Sequence, residues 1–535
     1  MTMMTDDLHY FEARRLVALL RARQISAREL LQVHLDRIAA VNPQINAIVT
    51  LTPELAFARA HELDQMAARS EFAGPLHGLP MAHKDNHLTA GIRTTFGSRL
   101  RADLVPDADE LVIERLRAAG VVTIGKTNIP EFAAGGHTFN EIFGVTRNPY
   151  DRSVTAGGSS GGAAAALAAG LHPLADGNDM GGSLRLPAGY CNVVGLRPTA
   201  GRVPVHPAAD GFAGLSVAGP MARTVDDVAL LLSVLAGPDG RSPISLEEPG
   251  AAFATVPRGG LAGARIAFSP DLGGLVEVEP EVAAMVRAAA AACETHGAVV
   301  EEGCPDLEGA DECFRVLRAW QFEATLGAEL DAGADLVRPS LLANMRAGRP
   351  LTGPQVGRAT VLRTTLFHRM REFLDDFDAL LLPVAPLPAF SVDVQYPETV
   401  AGVAQPDYLG WMRPVCHVTV TGHPAVSVPG GFSAAGTAVN EHCWPSPRAS
   451  RRSPATGSDD PTCEPAPPPM SRGAADGGPG SVRVRQPTDV QRRARRGRPP
   501  TVCPPDRNRE PRHETDTHAY PRATEHPELP VTIHR

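Results

Sequence analysis

The sequence predicts an α/β protein: one large α/β/α domain over residues 1–436, with a central mixed β-sheet covered by helices on both faces, followed by a disordered tail. Three observations lead to this prediction. Helical and strand-like patterns alternate along the first 436 residues, hydrophobic residues make up 43% of the chain, and the composition changes at residue 437. Strands separated by helices favour parallel or mixed pairing, because parallel strands need a crossover connection.

Several predicted elements have recognisable ends. Ser26 and Glu29 form the S-x-x-E pattern of a capping box, and apolar residues follow at helical spacing. Thr224 is positioned to cap a second helix. The same reasoning predicts helices over residues 109–119, 224–235, 308–332 and 356–375, a helix starting at residue 280, and strands over residues 121–124, 265–268, 298–300, 379–382 and 425–428.

The overall composition is that of an ordinary globular protein. The 535 residues include 51 basic and 60 acidic side chains, which gives a net charge of -9. No apolar run approaches the roughly 18 residues that a membrane helix needs, and the acidic start is unlike a secretory signal. The eight cysteines form no C-x-x-C pair, which argues against a disulfide framework or a thiolate zinc site. We therefore expect a cytoplasmic protein without a membrane span.

The last 99 residues differ from the rest of the chain. Residues 1–436 carry 35 basic and 48 acidic side chains, whereas residues 437–535 carry 16 and 12 and hold 18 of the 49 prolines. Segments such as 465–469 and 491–500 show no apolar period. Because so few apolar residues cannot offset the entropy lost on ordering, we predict that this tail is disordered.

Lysine is almost absent from the chain. Of the 51 basic residues, only Lys84 and Lys126 are lysines. Arginine serves wherever a permanent cation is needed, but only a buried lysine can lose its proton. Codon bias that spared two lysines by chance is the alternative explanation, and it fits Lys126 better than Lys84.

Lys84 follows an apolar stretch that we predict to be extended. Alternation along residues 80–84 places Lys84 on the same side as Ala82 and away from His83. To act as a base near pH 7, the amine needs a pKa about 3 units below its usual value of roughly 10.4, which desolvation can supply. A surface lysine paired with Asp85 is the alternative.

A glycine-rich segment, Gly-Gly-Ser-Ser-Gly-Gly at 157–162, precedes an alanine-rich stretch that favours a helix. Unpaired backbone N–H groups and the positive end of the helix dipole then lie beside Ser159 and Ser160. The segment fits a plain turn, a phosphate cradle that lacks the Lys-Ser/Thr of a P-loop, or a hydroxyl group held where a base can reach it.

A second glycine-rich segment places Gly181 and Gly182 directly before Ser183. Consecutive glycines allow several backbone N–H groups to converge on one point, as the stabilisation of an oxyanion requires. A turn without a catalytic role is again the alternative.

Taken together, these segments resemble the amidase signature family. Residues 157–162, 181–183 and 195–199 match its signature in order. Similar segments occur at 125–132, 147–149 and 421–429, so the resemblance covers about residues 8–436. It implies the amidase signature fold and the hydrolysis of a carboxylic amide to an acid and ammonia or an amine. It implies neither a metal nor another cofactor.

The resemblance also implies a Ser–Ser–Lys triad. Ser183 corresponds to the nucleophile that forms the acyl-enzyme, and Lys84 to the neutral base. Ser159, which in the family follows a cis peptide bond, corresponds to the proton relay between them. Ser–Lys pairs are a known way to activate a serine hydroxyl. The implied oxyanion hole consists of the backbone N–H groups of Met180, Gly181, Gly182 and Ser183.

The chain departs from the family at two places. Asn178 stands where many members have threonine, and because the oxyanion donors are backbone groups we expect little effect. After Gly436 the family's usual strand and final helix are replaced, which indicates a shifted reading frame or a genuine replacement of the end. In either case we expect the sheet to lose a strand beside residues 425–428, with an unpaired edge and a less stable or less active protein.

Two other functions stay open from the sequence. Residues 496–499 (Arg-Gly-Arg-Pro) resemble an AT-hook, so one alternative is an inactive amidase-like scaffold with a basic nucleic-acid-binding tail. Out-of-frame translation of a GC-rich gene gives similar segments, and we do not expect a nucleic-acid partner. The other alternative is the A component of a glutamyl-tRNA amidotransferase, which works with a partner protein. The main interpretation needs only a small amide substrate, and it leaves a homodimer open.

The sequence does not identify the substrate. Five aromatic residues could line an apolar acyl or aryl pocket, and core packing is the alternative for each: Phe132, Phe139, Phe143, Trp320 and Trp411.

Overall fold

The computed structural model describes residues 5–256, 260–433 and 438–445, and within these ranges helices and strands alternate as predicted. The α-helices are α1 (Ala13–Arg21), α2 (Ala27–Ile45), α3 (Pro53–Ala68), α4 (Leu111–Ala118), α5 (Gly161–Ala168), α6 (Arg185–Tyr190), α7 (Val225–Leu235), α8 (Pro280–Thr295), α9 (Ala310–Ala332), α10 (Pro339–Arg346), α11 (Gly353–Asp376) and α12 (Arg413–Val420). The strands are β1 (Ile48–Leu51), β2 (Pro80–Lys84), β3 (Val122–Thr127), β4 (Phe139–Asn140), β5 (Gly144–Val145), β6 (Leu174–Asp179), β7 (Val194–Arg197), β8 (Val217–Ala222), β9 (Arg265–Phe268), β10 (Val299–Glu302), β11 (Ala379–Pro383), β12 (Thr399–Val400), β13 (Val403–Ala404), β14 (Ala425–Phe432) and β15 (Ala438–Pro445).

Local sequence signals explain where several helices begin. The Glu29 N–H donates to the Ser26 hydroxyl at 3.1 Å and the Ser26 N–H donates to the Glu29 carboxylate at 2.8 Å, which confirms the predicted capping box of α2. Thr224 caps α7 by accepting from the Asp227 N–H at 3.3 Å. The short helices α10 and α12 were not predicted. In the ranges that the structure describes, no helix has the length and apolar character needed to cross a bilayer.

Eight strands form the large sheet, in the order β10-β9-β11-β15-β14-β7-β8-β6. β9 pairs in parallel with β10 and β11, and the other neighbouring strands are antiparallel, so the sheet is mixed as predicted. A separate three-stranded sheet has the order β1-β3-β2. The sequence predicted one sheet, whereas Lys84 at the end of β2 belongs to the smaller one. The two sheets approach each other where β2 lies beside β6.

Helices cover both faces of the large sheet. Leu380 and Leu382 of β11 pack in one hydrophobic cluster with Leu366 of α11. The residue between them, Leu381, packs in another cluster with Ala290 of α8. Because successive side chains of a strand point to opposite faces, the two clusters lie on opposite sides of the sheet. The predicted α/β/α layering is confirmed.

One strand lies beyond the predicted end of the domain. β15 pairs antiparallel with both β14 and β11, and Cys443 is the register partner of Val426 and of Leu381. The expectation of an unpaired edge beside residues 425–428 is therefore wrong. Strand pairing uses backbone N–H and C=O groups, which do not require the family's usual side chains. The rest of the predicted tail, from residue 446 onward, lies outside the described residues.

Candidate active site

The three predicted catalytic residues come from different parts of the fold: Ser159 and Ser183 reach one cavity, and Lys84 contacts Ser159. Lys84 ends β2, Ser159 precedes α5, and Ser183 lies between β6 and α6. Lys84 Nζ lies 2.8 Å from Ser159 Oγ, and both serines line the cavity. The Ser160 N–H donates to the Ser183 carbonyl at 3.1 Å and so ties the two serine segments together. The Gly158–Ser159 peptide bond is cis, as the family resemblance implied.

Lys84 is fully buried, as a neutral base requires. Burial lowers the pKa of Lys84 to about 7, although the negative charges of Asp179 and Asp176 oppose this change. The alternative of a surface lysine paired with Asp85 is wrong, because the Asp85 carboxylate is also buried and accepts hydrogen bonds from Thr95. A substantial fraction of the Lys84 amine is therefore neutral near pH 7.

Asn178 contacts the lysine directly, and no feature of the sequence pointed to this contact. Lys84 Nζ lies 2.6 Å from Asn178 Oδ1 and 3.3 Å from the Asn178 carbonyl oxygen. A neutral amine has two N–H donors and one lone pair. In the neutral form, two N–H groups donated to Asn178 leave the lone pair for the hydroxyl of Ser159, whereas the ammonium form donates to that hydroxyl. The expectation that position 178 matters little, which considered only the oxyanion, therefore needs correction.

Asp176 fixes the backbone at the end of β2. It lies on β6 of the large sheet, and its Oδ1 accepts from the Lys84 N–H at 2.8 Å while its Oδ2 lies 2.6 Å from His83 Nδ1. Burial raises the pKa of Asp176, but the interactions with His83, His87 and the Lys84 N–H outweigh burial and hold it well below its usual range. A charged carboxylate thus joins the two sheets next to the base.

Asp179 organises the turn that carries Ser183. Its carboxylate accepts from Arg185 Nε and Nη2, both at 2.9 Å, and from the Gly182 N–H at 2.9 Å. Burial raises the pKa of Asp179, but the Arg185 and Arg197 guanidinium groups outweigh it and hold the pKa well below its usual range. All three charged side chains are buried, so the ion pairs are shielded from water and hold the turn in place.

The N–H groups beside Ser183 differ in whether they are free to bind an oxyanion. The Gly182 N–H is already donated to Asp179, so the expectation that it belongs to the oxyanion hole is corrected. Gly182 instead turns the chain, with a φ of +95° that favours glycine. The N–H groups of Met180, Gly181 and Ser183 have no acceptor among the described residues, and all three residues line the cavity. These three are the candidate donors.

The cavity has a volume of about 180 Å³. Of the five aromatic residues considered from the sequence, Phe132 lines it. Trp411 is buried in the core beside Phe390, and Trp320 is 40% exposed. Phe139 and Phe143 lie outside the cavity wall. Both are half-buried, and the guanidinium groups of Arg338 and Arg93 lie over their rings.

The wall includes one face of α9 whose side chains the sequence did not single out. Phe314, Arg318 and Phe322 follow each other at intervals of four residues, and Tyr408 joins them from the segment before α12. The spacing is visible in the sequence. It did not identify a pocket because a helix face packed on a core has the same period.

Lys126 does not join the catalytic residues. Its Nζ donates to the His87 carbonyl at 2.5 Å and to the Thr89 hydroxyl at 2.9 Å, whereas Lys84 contacts Ser159. These contacts are consistent with the structural role that the sequence left to it.

Comparison with known proteins gives one consistent result. The sequence profile of the amidase family matches residues 29–440. An acylamidase of Rhodococcus erythropolis is 36% identical over 445 residues, which cover 82% of this chain and 92% of that protein. The A component of the glutamyl-tRNA(Gln) amidotransferase of Synechococcus sp. (strain CC9605) is also 36% identical over 445 residues, with 78% and 89% covered.

Solved structures agree with the sequence comparison. A bacterial aryl acylamidase of the amidase signature family superimposes with a TM-score of 0.77 at 29% identity, covering 83% of this chain and 94% of that one. A 6-aminohexanoate cyclic dimer hydrolase gives a TM-score of 0.74 at 26% identity with the same coverage. The family match, these similarities and the lysine–serine geometry lead to one conclusion: the chain belongs to the amidase signature family of amide-hydrolysing enzymes.

Proposed function

We propose that this amidase works through an acyl-enzyme on Ser183, with Ser159 as the proton relay and Lys84 as the base. The observation that carries the proposal is the buried amine of Lys84, 2.8 Å from Ser159 Oγ and with a pKa of about 7. A serine hydroxyl is a weak nucleophile until a base removes its proton. The lysine–serine pair supplies that base without solvent between the two groups.

In the first half of the reaction, neutral Lys84 accepts the proton of Ser159, which takes the proton of Ser183. Ser183 Oγ then forms a bond to the amide carbonyl carbon. The negative charge that develops on the carbonyl oxygen is stabilised by the N–H groups of Met180, Gly181 and Ser183. Donors held in place in this way act without reorganisation during the step.

The same relay then works in the other direction. The Lys84 ammonium returns its proton through Ser159 to the leaving nitrogen, the carbon–nitrogen bond breaks, and ammonia or an amine departs. Water then attacks the acyl-enzyme and gives its proton to the relay. When the ester bond breaks, the carboxylic acid leaves and Ser183 regains its proton.

A fluorophosphonate probe tests these assignments. It should label Ser183, fail to label Ser183→Ala, and react much more slowly with Lys84→Ala. The variants should keep the melting curve of the wild type, as shown by circular dichroism, so that loss of labelling reports on chemistry. Unchanged labelling of Ser183→Ala would show that the nucleophile has been misassigned.

The aromatic part of the cavity wall supports an amide with an apolar acyl or aryl group. Phe132, Phe314 and Phe322 provide large apolar surfaces in the same cavity wall as Ser183. The similarity to an aryl acylamidase points in the same direction. Turnover of acetanilide-type amides and of aliphatic amides of matched size will measure the preference.

A second candidate function is the A component of a glutamyl-tRNA amidotransferase, because such a protein reaches the same 36% identity as the acylamidase. A stand-alone amidase hydrolyses its substrate as the isolated chain. An amidotransferase component is expected to release ammonia from glutamine only with its partner protein. Assays of the isolated chain on glutamine and on simple anilides, with and without that partner, separate the two.

Three further predictions from the sequence stay proposals. They are the cytoplasmic location, the homodimer, and the absence of a nucleic-acid partner. We also propose that the folded domain ends after β15 rather than at residue 436, and the pairing of β15 with β14 and β11 supports this limit. Gel filtration of the whole chain tests the homodimer, and its salt-dependent retention on DNA tests the absence of a nucleic-acid partner.

A further inference from the structure

Arg318 is the one charged side chain in the cavity wall that the described residues form. It is only 5% exposed. Its guanidinium group donates to Asn344 Oδ1 and to the Tyr408 hydroxyl, and it lies 4.3 Å from the centre of the Phe322 ring. These contacts hold the side chain in one orientation beside the space that contains Ser183.

No carboxylate among the described residues neutralises Arg318. The acidic residue beside Tyr408 is Asp407, and its carboxylate lies 2.7 Å from Arg315 Nη1. Both acceptors of Arg318 are uncharged groups. Arg318 therefore makes no direct ion pair among the residues that the structure describes, and the carboxylates of Asp311 and Asp407 contact Arg315 instead.

A buried cation without a counter-ion is energetically costly, and structures normally pair such a charge. Arginine is suited to this pairing because its planar guanidinium group binds a carboxylate through two parallel hydrogen bonds. A single arginine matches the single charge of a carboxylate, and the aromatic side chains around it match an apolar body. A carboxylate group on the substrate would therefore supply the counter-ion of Arg318.

We propose that the substrates are amides that carry a carboxylate group on an apolar or aryl body, and that Arg318 binds this carboxylate. The inference rests on the proposed function, since it uses the same cavity and Ser183. Arg318 acts in binding and specificity and takes no part in bond making or breaking. It favours amides such as a dicarboxylic acid monoamide or an acylated aminobenzoate over neutral amides of equal size.

Two pairs of anilides test the inference. The first pair, the 4-nitroanilides of glutaric acid (as its monoacid) and of hexanoic acid, carries the charge on the acyl side. The second pair, 4-acetamidobenzoate and 4-methylacetanilide, carries it on the amine side. Wild type should prefer the carboxylate in at least one pair by about 10- to 100-fold in kcat/KM, as expected for a charged hydrogen-bonded pair.

Arg318→Met should remove that preference, and Arg318→Lys should retain part of it. Arg371→Met is the control, because Arg371 lies on the surface of α11, is paired with Asp375, and lies outside the cavity wall. Its carboxylate preference should equal that of the wild type. The measured quantity is the ratio within a pair, which cancels any loss of folded protein.

The outcomes distinguish this inference from the proposed function. Fluorophosphonate labelling of Ser183 together with no carboxylate preference in either pair overturns the inference alone. A preference that survives in Arg318→Met also overturns it and leaves Arg318 as a residue that only stacks on Phe322. Absence of both labelling and turnover overturns the proposed function, and the inference with it.

Discussion

The two lysines of this chain are equally buried, but they contact different groups. Lys84 and Lys126 are both fully buried, and burial lowers the pKa to about 7 for Lys84 and to about 8 for Lys126. Lys84 contacts Ser159, which lines the cavity, whereas Lys126 contacts the His87 carbonyl and the Thr89 hydroxyl. Burial alone produces an amine that can lose its proton. The groups it can reach decide whether that amine is a base.

Strand geometry explains the difference. β2 and β3 are parallel neighbours, and in their register Lys84 is opposite Thr127 while His83 is opposite Lys126. Residues that are adjacent in a strand point to opposite faces, so the two lysines point away from each other across the small sheet. The face with Lys84 meets the serine segments. The face with Lys126 meets the chain after β2. The negative charges of Asp85, Asp176 and Glu110 raise the pKa of Lys126 against the effect of burial.

The largest effect that tests this comparison is the loss of each amine. Lys84→Met should lower kcat/KM by about 10⁴-fold or more, because removal of one member of a catalytic triad has effects of that order. Lys126→Met should change kcat/KM per folded molecule by less than about tenfold. Its main effect should be to lower the free energy of unfolding by about 3 kcal/mol, because the buried negative charges around Lys126 lose their positive partner.

Circular dichroism gives the folded fraction of each variant, because the fluorophosphonate probe reacts slowly without Lys84 even in folded protein, and chemical denaturation gives the free energy of unfolding. Equal losses of kcat/KM in both variants, after correction for folded protein, would remove the distinction between the two lysines.

A second, smaller effect concerns the orientation of Lys84 by Asn178. Asn178→Leu keeps the volume but removes the oxygen that lies 2.6 Å from Lys84 Nζ. We expect kcat to fall by about 10- to 100-fold, since a charge-assisted hydrogen bond is worth roughly 1.5–3 kcal/mol. Because that bond favours the ammonium form, the pKa of Lys84 should fall further and the acid limb of the pH profile should move to lower pH.

Full pH profiles of the wild type and Asn178→Leu measure both changes. A fall in kcat with the acid limb unmoved would mean that Asn178 shapes the cavity without acting on the lysine.

The pH profile of the wild type is the third test. The active form of Lys84 is neutral, so kcat/KM should rise with pH through about 7 and level off above it. Below this pKa each pH unit should cost about tenfold in kcat/KM, as one proton must be lost. Lys126 should not affect the pH profile, so Lys126→Met should show the same acid limb as the wild type. A limb near pH 10 would mean that the amine of Lys84 is solvated.

The smallest effect is on stability. The folded pKa of Lys84, about 7, lies below its unfolded value of 10.5, so the unfolded chain binds more protons between these pH values. The free energy of unfolding should therefore rise with pH across this window. The cost of burying the Lys84 amine is full below pH 7 and is relieved as the pH rises toward 10.5. Between pH 7 and 8 the relief amounts to about 1 kcal/mol.

Urea denaturation of the wild type and Lys84→Met at pH 7 and 8 gives the difference in the free energy of unfolding. The free energy of unfolding of the wild type should rise relative to that of Lys84→Met when the pH is raised from 7 to 8. A difference that is independent of pH would contradict the lowered pKa.

Much of the fold, and the residues proposed for the catalytic triad, could be selected from the sequence. The capping box at Ser26 and the long helices α9 and α11 follow from local hydrogen-bonding rules and apolar periods, which act over a few residues. The triad residues Lys84, Ser159 and Ser183 followed from glycine-rich segments and from the resemblance to a family. The prediction failed for β15, because pairing between distant strands depends on backbone groups and has little sequence signature.

The amino-acid sequence alone was enough to select the residues that could do chemistry: two serines beside flexible glycines, and two lysines in a chain that otherwise uses arginine. Three features became visible only in the folded chain: that Asn178 contacts the amine of Lys84, that the Gly182 N–H is donated to Asp179, and that Arg318 has no carboxylate partner in the cavity wall. They could not be predicted because pKa, charge balance and hydrogen bonding depend on distances between segments far apart in the chain, and burial sets the strength of each interaction.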